Sequence, residues 1–178
     1  TSLNLVDADD FKGDLTLGSE TDALNVRTLT AQGGGEIDFS GDVATASRFS
    51  YTTGNNDDTI KIDVTDAVDA KDVEYASFQL TIKTNGGDDK VEVNQVTGTA
   101  SDFLNQFDLA GNINIDTGSG DDTIDVEGYG VSVINAGAGN DIITVDEGGT
   151  AAAWSFNLDP LTPSGDLGQG NNSYNAFK

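Results

Sequence analysis

The chain has no cysteine, no histidine and no methionine. Those absences exclude disulfides, thiolate nucleophiles, imidazole acid–base catalysis and any metal site built on sulfur or ring nitrogen. Proline is nearly missing too: Pro160 and Pro163 both lie near the C-terminus, so the rest can run as uninterrupted strand and turn. Basic residues number 8 against 31 acidic ones, and a formal charge of −23 repels nucleic acid and anionic membrane surfaces. Neither a charged-then-apolar leader nor a run of about 18 apolar residues occurs, so no membrane insertion is expected. A chain that opens on Thr1 reads as processed or as excised from something larger. The ligands that remain are carboxylates and carbonyls, hard oxygens that suit Ca²⁺.

Glycine and aspartate, by contrast, are concentrated in a repeated turn. Ala136-Gly-Ala-Gly-Asn-Asp-Ile-Ile-Thr144, Thr117-Gly-Ser-Gly-Asp-Asp-Thr-Ile-Asp125, Thr84-Asn-Gly-Gly-Asp-Asp-Lys-Val-Glu92 and Thr53-Gly-Asn-Asn-Asp-Asp-Thr-Ile-Lys61 share an Asp at the sixth place and an aliphatic residue at the eighth. Leu17-Gly-Ser-Glu-Thr-Asp-Ala-Leu-Asn25 reads as a weaker fifth copy. The flanks align as well. Ile60, Val91, Ile124 and Ile143 fill the eighth place, Ile62, Val93, Val126 and Val145 follow two residues later, and Tyr51, Ile82, Ile115 and Ile134 stand two before the first place.

Apolar alternation entering and leaving each turn means strand, turn, strand, with one face of every strand apolar. Identical columns let copies stack, so that neighbouring coils bury one continuous aliphatic core that no single coil can bury alone. A series of hairpins is the competing arrangement, since Asn85-Gly86 is an ordinary hairpin turn. Hairpin loops, however, place no demand on the sixth residue. The expectation is an all-β parallel roll or solenoid over residues 1–160, with a loop or tail over 161–178. From Asp122 to Asp141 is 19 residues, one tight coil, whereas the steps of 31 and 33 from Asp58 to Asp89 and Asp122 hold excursions near residues 65–75 and 97–108. Phe103, Leu104 and Phe107 behind Ser101 allow one short helix on the flank. Strands are expected at Leu3–Leu5 and around Trp154, Phe156 and Leu158.

The nonamers resemble the G-G-x-G-x-D-x-U-x repeat of the RTX (repeats-in-toxin, hemolysin-type) calcium-binding family, over roughly residues 13–148. The resemblance implies a parallel β-roll with Ca²⁺ held between stacked turns. It agrees with the bottom-up assignment of Asp58, Asp89, Asp122 and Asp141 as ligands. A tight glycine turn aims several carbonyl oxygens at one small volume, and two turns about 4.8 Å apart supply the six to eight oxygens that Ca²⁺ wants. Backbone oxygens of Gly54, Asn56, Gly87, Gly118, Gly120, Gly137 and Gly139 complete the expected set. Asp57, Asp88, Asp121 and Asn140 at the fifth place are secondary candidates, the alternative being that they tune the turn and face solvent. No nucleophile–base pair stands out, so no enzyme is expected. The expected role is a structural or adhesive module of a secreted or cell-surface protein, of adhesin or surface-layer type. The resemblance implies export from a Gram-negative bacterium and folding on extracellular calcium. Head-to-tail stacking of copies is one partner expectation. The runner-up is an accessory domain of a secreted hydrolase, lyase or epimerase that assists secretion or grips extracellular polysaccharide.

Overall fold

The computed structural model describes residues 3–19, 24–44, 48–65, 79–96, 113–127, 132–146, 155–156 and 173–176. Over these residues the chain is all-β, without a helix. Successive strands fall alternately into two sheets. One contains β1 (Leu3–Asp7), β3 (Val26–Ala31), β5 (Arg48–Thr53), β7 (Gln79–Lys83), β9 (Ile113–Asp116), β11 (Ser132–Asn135) and β13 (Ser155–Phe156), in that spatial order. The other contains β2 (Leu15–Leu17), β4 (Ile37–Ala44), β6 (Thr59–Thr65), β8 (Lys90–Val96), β10 (Thr123–Glu127), β12 (Ile142–Asp146) and β14 (Ser173–Ala176). Each strand pairs in parallel with the strands two before and two after it. One strand from each sheet therefore makes one coil, and the coils stack into a parallel β-roll.

Side-chain columns set the register, because a slip of one residue would turn every apolar side chain outward. Leu29, Tyr51, Ile82, Ile115 and Ile134 pair in succession through the first sheet. Phe39, Ile60, Val91, Ile124 and Ile143 do so through the second. All ten are buried in a single cluster between the sheets. Where the aromatics meet, the rings of Phe39 and Tyr51 lie 4.8 Å apart between centroids, and the Tyr51 hydroxyl donates to the Val26 carbonyl at 2.7 Å. Gly41 makes room there, since a Cβ would come within 2.8 Å of the Phe39 ring.

Coil lengths follow from the pairing. Thr123 pairs with Ile142, one tight coil of 19 residues on, while Thr59 pairs with Lys90 and Lys90 with Thr123 across coils of 31 and 33. The surplus lies in the connections 66–78 and 97–112, both running from the second sheet back to the first. The expected helix at 101–107 lies outside the described residues, as does most of both excursions.

Three boundaries differ from the sequence reading. The weak copy beginning at Leu17 is not an acidic turn of the stack: Leu15 and Leu17 pair with Ile37 and Phe39, and Leu24 bridges to Gly41, so it sits where the second sheet returns to the first. The matching turn in that part of the chain is Gln32-Gly-Gly-Gly-Glu36, between β3 and β4, with Ile37 beside Asp58 in the register. At the far end, the segment expected as a tail contributes β14, which pairs with β12. The N-terminal strand at Leu3 is present as β1, and of the expected strand around Trp154 the described part is β13.

Candidate functional site

All four acidic turns connect the first sheet to the second along one side of the roll, one above another. Turn glycines are needed because the coils approach closely. At the fourth place Gly120 and Gly139 have φ of 140° and 150°, and a Cβ on either would collide with the carbonyl oxygen of the fourth-place residue one coil below, Gly87 or Gly120. The second-place Gly118 and Gly137 meet the carbonyls of Asn85 and Gly118 in the same way. Asn85 itself adopts φ 68°, a left-handed conformation that Asn tolerates, and donates its amide to the Thr53 carbonyl at 2.6 Å. Gly54 differs: its nearest neighbour for a Cβ is 3.7 Å away. The parallel ladder continues through the turns, with Gly86, Ser119 and Ala138 bridged in succession.

Sixth-place side chains point inward. Asp58, Asp89, Asp122 and Asp141 are exposed by only 1%, 2%, 0% and 1%. Each accepts, through Oδ1, the backbone N–H of the residue at its own level one coil earlier. Ile37 donates to Asp58 at 2.8 Å, Asp58 to Asp89 at 2.8 Å, Asp89 to Asp122 at 2.9 Å and Asp122 to Asp141 at 3.0 Å. This row of caps runs backward along the chain. The Oδ2 atoms of Asp58, Asp89 and Asp122 are buried and make no hydrogen bond, which for a carboxylate is a costly state.

The fifth-place row runs the opposite way and faces out. Asp57, Asp88 and Asp121 accept through Oδ1 the backbone N–H of Asp88, Asp121 and Asn140, at 2.8, 2.9 and 2.8 Å. The Asn140 amide adds contacts of 3.1 Å to both oxygens of Asp121. Two antiparallel rows of Asx-to-backbone bonds thus clasp each turn to its neighbours. Neither row was foreseen as a clasp, because a sequence shows the carboxylate but not the N–H it will meet.

Electrostatics separate the rows. Burial pushes Asp89 up to about 7 and Asp141 up to about 6 against an ordinary 3.8, and it raises Asp58 and Asp122 as well. Backbone N–H donors oppose the rise, and the hydroxyls of Thr53, Thr84 and Thr117 lie beside the carboxyls of Asp58, Asp89 and Asp122. Two of those hydroxyls still donate their protons to carbonyls of the next coil, Thr84 to Thr117 and Thr117 to Ala136. Exposed Asp121, in contrast, is held below its usual value by the Asn140 N–H and amide.

The buried, orphaned Oδ2 atoms fit a divalent cation. Among the described residues no three acidic side chains gather round one point, so a cation held there would have to take most of its coordination from carbonyl oxygens. Many turn carbonyls already accept one inter-coil bond: Asn85 from Ser119, Gly118 from Ala138, Asp89 from Thr123. Each keeps a second lone pair. Sequence reasoning missed the 32–36 turn and the Gly168-Gln-Gly-Asn-Asn172 spelling just before β14, both visible as glycines at the second and fourth places. No family model matches the chain, and no curated protein or solved structure matches it either.

Proposed function

We propose that the chain is a non-enzymatic, calcium-stabilised β-roll serving as a structural or adhesive module of a secreted or cell-surface protein. The observation that carries this reading is the buried row of Asp58, Asp89 and Asp122, each with one oxygen capped by backbone and the other without a hydrogen bond. Ionised neighbours about 4.8 Å apart repel by on the order of 3 kcal/mol at an effective dielectric of about 20. A charge-assisted bond to one N–H returns about 1.5–3 kcal/mol, so the caps alone do not offset the repulsion and burial of a fully ionised row. A divalent cation supplies what is lacking. Calcium at this position makes folding conditional on a calcium-rich, extracellular setting, and the charge of −23 keeps the metal-free chain from collapsing. Open edges at β1 and β2, with Leu3 52% and Leu5 56% exposed, support head-to-tail contact between copies. Circular dichroism and thermal unfolding in chelator and in millimolar Ca²⁺ test the reading. Strand content and melting temperature are expected to rise with calcium and not with equal ionic strength of sodium; coincident curves would refute it.

A groove of about 320 Å³ on the outer face of the second sheet favours a second reading, in which the module grips polysaccharide. Asp38, Ser40, Thr59, Lys61, Lys90 and Glu92 line it, with Glu92 3.1 Å from Lys61 and 3.7 Å from Lys90. Such a mix of hydroxyl, carboxylate and ammonium groups suits sugar hydroxyls. Retention on immobilised polysaccharide that is lost in Lys61→Glu would favour it; no retention would set it aside.

A further inference from the structure

We propose that the N-terminal end of the roll is a self-association surface on which a second copy docks through the same end, β1 against β1 and β2 against β2, both antiparallel, to make a closed dimer. The docking depends on the roll and not on the calcium sites.

That end is open in two respects. Among the described residues β1 pairs only with β3 and β2 only with β4, so each is an edge strand with a row of N–H and C=O groups facing away from the stack. The core runs out there too: Val6, Ala8, Leu15 and Leu17 pack on it from one side yet stay partly exposed, and with Phe11 they line a cleft of about 600 Å³. Three of the four large hydrophobics exposed among the described residues, Leu3, Leu5 and Phe11, belong to this end. Apolar exposure gathered at one place on a strongly acidic chain marks an interaction surface. One extended peptide could add to β1 or to β2 but not to both, because they lie in opposite sheets about 10 Å apart, β1 running toward the acidic side and β2 away from it. A second roll end matches both strands at once. Five residues of strand at about 3.3 Å each with their turns, by two sheets about 10 Å apart with their side chains, give an end of roughly 500 Å². Two such ends bury about 1,000 Å² in total, which meets the threshold for a specific interface.

Charge decides how the copies face. On the first coil the acidic side carries Asp7, Asp9, Asp10 and Asp14, all exposed. Asp14 extends the outer fifth-place row, since it directly precedes Leu15, which pairs with Ile37, and it accepts the Glu36 N–H at 3.2 Å. On the opposite side, where β3 and β5 begin, stand the exposed Arg27 and Arg48. Head-to-tail contact uses the same open edges, but it keeps acidic side over acidic side, and like charges then meet. A two-fold axis perpendicular to the sheets turns the second roll round, so that the aspartates of each copy lie toward the arginine side of the other. The same rotation makes both strand pairs antiparallel.

Because β1 runs from Leu3 to Asp7, antiparallel pairing about its centre sets Leu5 beside Leu5 of the second copy. Antiparallel partners hold their Cα atoms about 4.5–5.5 Å apart, within reach of a disulfide, and the chain has no cysteine of its own to interfere. The test is oxidation of Leu5→Cys, with Ser50→Cys, exposed on β5 two coils away, as the control. In millimolar Ca²⁺, Leu5→Cys is expected to form a disulfide-linked dimer at least about tenfold faster than Ser50→Cys, because docking raises the effective concentration of its thiols. Sedimentation of the wild type should show two copies and no more. Leu5→Lys, which puts a charge on the open edge, should sediment as one copy with the wild-type circular dichroism, since Leu5 is exposed. Equal oxidation rates at the two cysteines, a wild-type chain that sediments as one copy, or a Leu5→Lys chain that still pairs would overturn the proposal. Assemblies that grow beyond two copies would also overturn it and put head-to-tail contact in its place. The calcium reading stands or falls apart from these outcomes, on unfolding in chelator and in calcium.

Discussion

At the scale of single residues, the stack makes opposite demands on glycines that look alike in sequence. Gly120→Ala would place a methyl on the Gly87 carbonyl at a backbone angle of 140°, and an expected loss of at least about 2 kcal/mol should appear as a lower melting temperature. Gly54→Ala meets only ordinary contacts from 3.7 Å outward, and its effect is expected within about 0.5 kcal/mol. Equal losses at the two sites would contradict the close stacking described. The buried aspartates give a pH signature of their own. Their folded pKa values lie above the unfolded 3.8, so the folded state binds protons more tightly, and stability is greatest below about 4 and falls as pH rises through about 6 and 7. Melting of the chelated chain between pH 4 and 8 should follow this slope. Saturating calcium, which holds the carboxylates ionised, should flatten it; a slope unchanged by calcium would place the ions elsewhere.

At the scale of strands and turns, the apolar columns carry the fold. Ile82 and Ile115 are buried between the sheets with a partner on the strands to either side, so Ile82→Ala or Ile115→Ala is expected to cost about 2–5 kcal/mol by denaturant titration. A loss below about 1 kcal/mol would mean that the columns do not form a close-packed core. These columns were legible in the sequence because their spacing repeats around each turn, and the register joins the same residues that the alignment joined. That the sixth-place aspartates stand in one row was legible for the same reason, whereas their burial was not. The second coil was not. Its turn keeps the glycines Gly33 and Gly35 but replaces Asp by Ile37, while the decoy at Leu17 keeps an Asp and the apolar spacing on the wrong side of the roll. Turn chemistry and strand periodicity are local, and neither reports which edge of a roll a connection occupies. The strand β14 was hidden likewise by a Gly- and Asn-rich approach that reads as loop until pairing with β12 gives it a place.

At the scale of the whole molecule, one side of the roll is a ladder of buried carboxylates and the chain as a whole is strongly acidic, so cation binding and folding are coupled in this account. Calcium should raise the melting temperature in proportion to the logarithm of its concentration once the sites are filled. A plateau at the metal-free value would break that coupling. The most direct measurement is the anomalous difference density of a crystal grown in calcium. The account predicts a single row of peaks inside the acidic side, lying between successive carboxylates of Asp58, Asp89, Asp122 and Asp141. Density confined to the outer row of Asp57, Asp88 and Asp121, or none along the stack, would contradict it.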